Sequence, residues 1–244
     1  MYGKQLAAAM VVATLLVGAC TPDEHEYMED EQAAEALTAE EMAAQFEAFR
    51  TEVEGAVLDL RADLQEMEAN LAEGQEERWE ELATRVEEME EAVHGELERL
   101  ATADPEEARV VRSEASEALA EVEAEVARAE LELAATSEEL SSTADEKLAR
   151  LERDLDEIAR SVADYREAIP DDPDAAVEAD MQAIAELRAE LNEVRSMIGQ
   201  VQEVPEEDPG FSEVREELSE TIADLTLEVR RTWYETRWSD DAVN

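Results

Sequence analysis

Residues 104–173 read DPEEARVVRSEASEALAEVEAEVARAELELAATSEELSSTADEKLARLERDLDEIARSVADYREAIPDDP. The stretch opens on Asp104-Pro105 and closes on Asp172-Pro173. Each pair sets a good N-cap before a proline at the first helical position, where a missing N–H costs nothing. Between them the apolar positions are Val111, Ala115, Leu119, Val122, Val126, Ala129, Leu133, Leu140, Ala144, Leu148, Leu151, Leu155, Ile158, Val162, Tyr165 and Ile169, with Ser137 as one polar fault. The step averages about 3.6 residues, the period of a straight α-helix rather than of a strict heptad coil.

The flanking sequence repeats the pattern. Upstream, Thr38-Ala39-Glu40-Glu41 has the capping-box spacing that opens a helix. A seam follows from Met42 through Phe46, Phe49, Val53, Val57, Leu60, Leu64, Met67, Leu71, Trp79, Leu82, Val86, Met89, Val93 and Leu97 to Leu100, with Gln75 as its polar fault. Downstream, Val177, Met181, Ile184, Leu187, Leu191, Val194, Ile198 and Val201 continue past an interruption at Pro205–Gly210 into Val214, Leu218, Leu225, Val229 and Trp233. The punctuation gives segments 39–102, 105–169 and 173–238, each about 65 residues and so roughly 100 Å long if continuous. The expected fold is all-α: an elongated antiparallel three-helix bundle or coiled coil, with the third helix broken near 204–210. Glu81–Arg85, Glu146–Arg150 and Asp156–Arg160 are spaced for i,i+4 ion pairs within a helix. Folding the segments back on one another sets Gly74, Leu133–Ser137 and Pro205–Pro209 at one level, a weak point halfway along the rod.

Acidic residues number 68 against 20 Lys plus Arg, for a net charge of -48. Such a surface repels nucleic acid and favours cations or basic partners. Lys4 and Lys147 are the only lysines. Scarce lysine beside abundant acid suits a halophilic habitat; a GC-rich genome explains the same bias. Aromatics are 4% of the chain, too few for a broad globular core but enough for narrow helical seams.

The first twenty residues carry a different message. Lys4 precedes an apolar run, Leu6–Leu16, too short to span a bilayer. Val17-Gly18-Ala19-Cys20 follows at once and resembles the lipobox of bacterial lipoproteins. That resemblance implies lipidation of the Cys20 thiol, cleavage before it, and acylation of the new amino group with fatty acid such as palmitate. It divides the chain into a signal peptide (1–19), a lipidated cysteine and acidic tether (20–37), a helical bundle (38–238) and a C-terminal tail (239–244). Thr21 in place of the aspartate that retains enteric lipoproteins in the inner membrane implies the outer membrane, facing the periplasm or the cell surface. The chain ends in Asn244, not in the lysine by which the major outer-membrane lipoprotein joins peptidoglycan.

Catalytic patterns are sparse. Glu91 and His94 have the E-x-x-H spacing of di-iron bundles, but the only other histidine is His25, in the tether. Ser137, Ser141 and Ser142 cluster without a base and an orienting group. No EF-hand or phosphate-binding glycine loop occurs; diffuse binding of Ca²⁺ or Mg²⁺ to the acidic surface is the one metal expectation, and no cofactor is implied beyond the lipid. One patch stands out: Arg230, Arg231, Trp233, Tyr234, Arg237 and Trp238, residue types that dominate interface hot spots. It reads as a partner-docking site at the end farthest from the anchor, or as a plug closing the bundle. The expectation is a noncatalytic, lipid-anchored envelope scaffold or spacer that meets a protein partner or a second copy. The alternative is a periplasmic chaperone or carrier for apolar or basic cargo.

Overall fold

The computed structural model describes residues 39–238 apart from 73, 169–174, 203 and 206–207. The leader, Cys20, the tether, the Asp172-Pro173 cap and the tail all lie outside the described residues. Among the described residues six helices and no strand form: α1 (Ala39–Ala69), α2 (Glu76–Leu100), α3 (Pro105–Leu133), α4 (Ser137–Ala168), α5 (Ala175–Val201) and α6 (Pro209–Trp238). The all-α class and antiparallel packing stand. The three-helix bundle does not: the break expected near 204–210 is present between α5 and α6, but the first and second segments are also divided, and each segment folds in half at the level of Gly74, Leu133–Ser137 and Pro205–Pro209.

Local chemistry explains each reversal. Between α1 and α2, Gly74 takes φ 93, a left-handed value that suits glycine. Between α3 and α4, the Thr136 hydroxyl accepts from Glu139 N at 3.1 Å while the Glu139 carboxylate accepts from Thr136 N at 3.1 Å. That reciprocal pair is a capping box, and it starts a new helix instead of continuing the old one. Between α5 and α6, Asp208 Oδ1 accepts from Gly210 N at 2.8 Å, and α6 opens on Pro209. Asp104 does the same for α3, accepting from Glu107 N at 3.0 Å.

The three reversals are tied together. Gln75 Nε2 donates to Leu133 O at 2.7 Å and Arg215 Nη1 donates to Ala134 O at 3.1 Å. These are carbonyls at the end of α3 that no residue of the helix itself can satisfy. Ser137 Oγ donates to Val204 O at 3.0 Å. Gln75 and Ser137, the polar faults of two seams, therefore hold the turns in place.

Ion pairs report the directions. Arg99–Glu114, Arg85–Glu125 and Arg78–Glu132 run oppositely along α2 and α3. Lys147–Glu130 joins α3 to α4, and Arg188–Asp156 and Arg195–Glu152 join α4 to α5. Helices α4 and α6 run parallel, with Asp154 and Glu157 meeting Arg230 and Arg237. Arg85 and Arg150 thus reach across to α3 rather than back to Glu81 and Glu146, and Arg160 bonds the Asp156 carbonyl. A partner on the next helix sits in a drier crevice than an exposed i,i+4 carboxylate, whose pairing contributes only a few tenths of a kcal/mol.

Two apolar clusters fill the interior. One is built from α1, α2 and α3 with Tyr234 of α6; the other from α4, α5 and α6 with Leu131 of α3 and Ala134 just past its end. Helix α3 is buried on two faces, because Ala120, Ala124 and Ala127 add a small-residue stripe to the seam of large side chains. Its pairing with α6 is the most extensive in the fold.

Glu130 and Glu190 record the acid surplus. Burial holds the Glu130 carboxyl above the usual range although Lys147 opposes it. Burial also raises Glu190, reinforced by Glu228, Glu193 and Glu186. An acid raised in the fold binds its proton more tightly there than in the unfolded chain, so protonation favours folding. That stabilisation is full below the ordinary carboxylate value and fades as pH rises through the raised one. At low salt the thermal midpoint should therefore climb as pH falls from neutral toward the ordinary carboxylate range, and Glu190→Gln should flatten the climb. A midpoint insensitive to pH in this window would contradict the assignment.

Lys147 offers a check on the hairpin. Its Nζ lies 2.5 Å from Glu130 Oε2. In one continuous helix the two residues would be roughly 25 Å apart. Carbodiimide coupling should yield a Glu130–Lys147 isopeptide, identified by peptide mass spectrometry; coupling of Lys147 instead to a carboxylate that the hairpin holds far from it would exclude the α3–α4 reversal.

Candidate functional site

Leu225 and Val229 bury one face of α6, which turns Arg230 and Tyr234 inward toward α3. Arg230 grips Glu123 with two hydrogen bonds, Nε to Oε2 at 2.6 Å and Nη2 to Oε1 at 2.7 Å. Nη2 also donates to the Tyr234 hydroxyl at 3.0 Å, and Nη1 lies 3.4 Å from Asp154 of α4. The guanidinium sits 4.7 Å from the Trp233 ring centroid and 4.9 Å from that of Tyr234. Tyr234 donates in turn to Glu123 Oε2 at 3.4 Å, and Arg150 flanks the same carboxylate at 3.8 Å. Glu123, Arg230 and Tyr234 are 7%, 8% and 1% exposed. A bidentate arginine–carboxylate pair in so dry a place is geometrically specific, and costly to break from one side.

Burial alone would lower the Arg230 pKa, but Glu123, Tyr234 and Asp154 outweigh it and hold the value raised. Burial pushes the Tyr234 hydroxyl well up, and Glu123 adds to this. The cluster therefore holds a permanent cation and a hydroxyl that stays protonated at neutral pH, a set suited to fixing helices rather than moving protons.

The other members of the sequence patch gather around it. Arg231 faces outward to Glu117 at 2.5 Å. Trp233 is half-buried, contacts both apolar clusters, and meets Tyr234 edge-on with ring centroids 5.0 Å apart. Arg237 spans Glu52 of α1 at 3.0 Å and Glu157 of α4 at 3.2 Å, and its guanidinium lies 4.9 Å from the Trp233 centroid. Trp238 closes α6, and its side chain is outside the described residues. The patch does not lie at the end opposite the start of α1. Six alternating helices return the chain to its starting end, so the last turns of α6 meet α1 at Glu52.

The acidic halves of the cluster, Glu123, Asp154, Glu117, Glu52 and Glu157, were not singled out by the sequence. Glu123 carried one signal: it falls among Leu119, Val122 and Val126, too close to the seam of α3 to be solvated. His94 is exposed on α2. Among the described residues no group of three or more His, Cys, Asp or Glu is arranged to hold a metal ion.

Arg230→Met should lower unfolding free energy by about 3–5 kcal/mol in denaturant titrations, because it strands Glu123 without its partner. Adding Glu123→Leu should recover much of that loss. Losses that simply add would show that the two side chains are not coupled.

No family model, curated protein or solved structure matches this chain.

Proposed function

We propose that this chain is a noncatalytic envelope lipoprotein: an acidic helical scaffold domain tethered to a membrane through lipid on Cys20. The observation that carries the reading is Val17-Gly18-Ala19-Cys20 placed directly after the apolar run Leu6–Leu16. Lipid is the means of attachment this reading requires, and no helix among the described residues is long and apolar enough to cross a membrane. Thr21 favours the outer membrane.

The scaffold half of the proposal draws support from how side chains are used. The large apolar residues that stand exposed among those described are Leu58, Val110 and Met181, on three different helices. Scattered singly, they make no sticky patch for apolar cargo. The buried polar cluster is spent on joining α3, α4 and α6. A protein partner or second copy would meet the domain at the rim formed by Arg231, Trp233 and Arg237, with Trp238 beside them in sequence. A second reading, a carrier for basic cargo, is favoured by one feature. A cleft of about 270 Å³ beside Tyr234 is lined by four acids, Glu52, Asp59, Asp63 and Glu123, against two arginines, Arg150 and Arg230.

Cells fed labelled palmitate should incorporate it into this protein, and Cys20→Ala should abolish incorporation while the chain remains detectable by antibody. Label persisting in the variant would remove the anchor from the proposal.

A further inference from the structure

Close to the buried cluster, but on the outer side of the α3–α6 pair, lies a second cavity of about 430 Å³. Its lining reverses the character of the molecule. Arg109, Arg112, Ser113 and Ser116 come from α3, and Arg231 comes from α6. The spacing of the α3 residues is i, i+3, i+4, i+7, a single helical face over the first turns after Pro105. Three of the chain's 20 basic residues and two hydroxyls thus converge on one hollow, in a protein of net charge -48. Arg112 and Ser116 are 8% and 7% exposed and form the inner wall, while Arg109 and Ser113 stand at the solvent edge.

Two acids share the lining, Glu117 and Glu235. Glu117 pairs with Arg231 through Nη2, and its side chain is 53% exposed, free to rotate toward water. Arg231 Nε is buried with no hydrogen-bond partner in the protein. A buried donor without a partner is costly, and an anion entering the hollow would satisfy it. Arginines set around hydroxyls give the fork-like donor array that recognises oxyanions, and the positive end of α3 adds to it.

We propose that this hollow is a binding site for a small phosphorylated anion, held by Arg109, Arg112 and Arg231 with Ser113 and Ser116 as neutral donors. The volume lies within the range of small-molecule sites and exceeds what bare phosphate needs, which favours a phosphate monoester carrying a polyol or sugar. The same chemistry is offered by a free phosphoester and by a phospholipid headgroup. The distant acidic surface repels such anions, but at physiological ionic strength that repulsion is screened beyond roughly 8 Å while the short contacts inside the hollow are retained. The site does not depend on the anchor: it is built wholly from α3 and α6.

The test uses residues 20–244 carrying Cys20→Ala, which contain all six helices, at physiological ionic strength. Glycerol 1-phosphate and inorganic phosphate are titrated calorimetrically, and vesicles of neutral phosphatidylcholine with and without phosphatidylglycerol are sedimented with the protein. Saturable binding of glycerol 1-phosphate, weakened at least tenfold by Arg109→Gln/Arg231→Gln and by Ser113→Glu but not by Arg153→Gln, supports the site. Ser113 is exposed, so its variant sets a carboxylate at the hollow without disturbing the core, and an unchanged melting transition verifies the fold. Co-sedimentation that requires phosphatidylglycerol and is lost in Ser113→Glu identifies the headgroup as the source; binding of the soluble ester alone identifies a free ligand. Absence of binding to every probe, or equal weakening by Arg153→Gln, overturns the proposal.

Discussion

The pairing of α3 with α6 is the contact on which the other helices depend. Both carry small buried residues, Ala120, Ala124 and Ala127 on one and Ser219, Ala223 and Thr226 on the other. Small side chains let helix axes approach closely, but each contributes little apolar area, so such a pairing is poorly fixed in rotation and register. Glu123 and Arg230 supply what alanine cannot. A two-pronged ionic contact tolerates one geometry only, and its burial makes any slip expensive. With that register set, α1 and α2 close over one face of α3, and α4 and α5 close over α6.

Cations are the scarce material in this chain, and the fold places them between helices. Arg61, Arg78, Arg85, Arg99, Arg188 and Arg195 each bridge two elements, as does Lys147. Singly, exposed bridges of this kind contribute little. Spread over the bundle they do something different: each reduces acid repulsion at a seam where two negatively charged helices must approach. Where acids stand exposed without such a bridge, salt rather than protein neutralises them.

Helical type and the level shared by Gly74, Leu133–Ser137 and Pro205–Pro209 were legible in the sequence; which glycine of the first segment would turn the chain, and its reversal at that level, were not. Periodicity reports which face is apolar, and it passes unchanged through a reversal if both arms keep their seams. Thr136-Ser137-Glu138-Glu139 has the same form as Thr38-Ala39-Glu40-Glu41, which marks a helix start. Taken with the same weight, it would have divided the second segment. Gln75 and Ser137 were visible as polar intrusions, but their partners, the carbonyls of Leu133 and Val204, belong to turns that exist only after folding. The second buried face of α3 was hidden because alanine is common on exposed helices as well. The arginines and tryptophans at the end of α6 were conspicuous by type, whereas Glu123 was one acid among 68.

An even number of alternating helices has a mechanical corollary. Helices α1 and α6 run in opposite directions, so the start of α1 and the end of α6 lie toward the same end of the bundle, and Arg237 near the end of α6 meets Glu52 about midway along α1. Traction transmitted through the residue before α1 therefore does not shear all six helices along their lengths, as it would in a rod gripped at opposite ends. It levers α1 away from its neighbours one contact at a time, through Phe46 and Phe49 before the Arg237 bridge is reached. Resistance to such peeling rests on a few local contacts, so the mechanical strength of the domain is set by how α1 is seated and not by the size of its core.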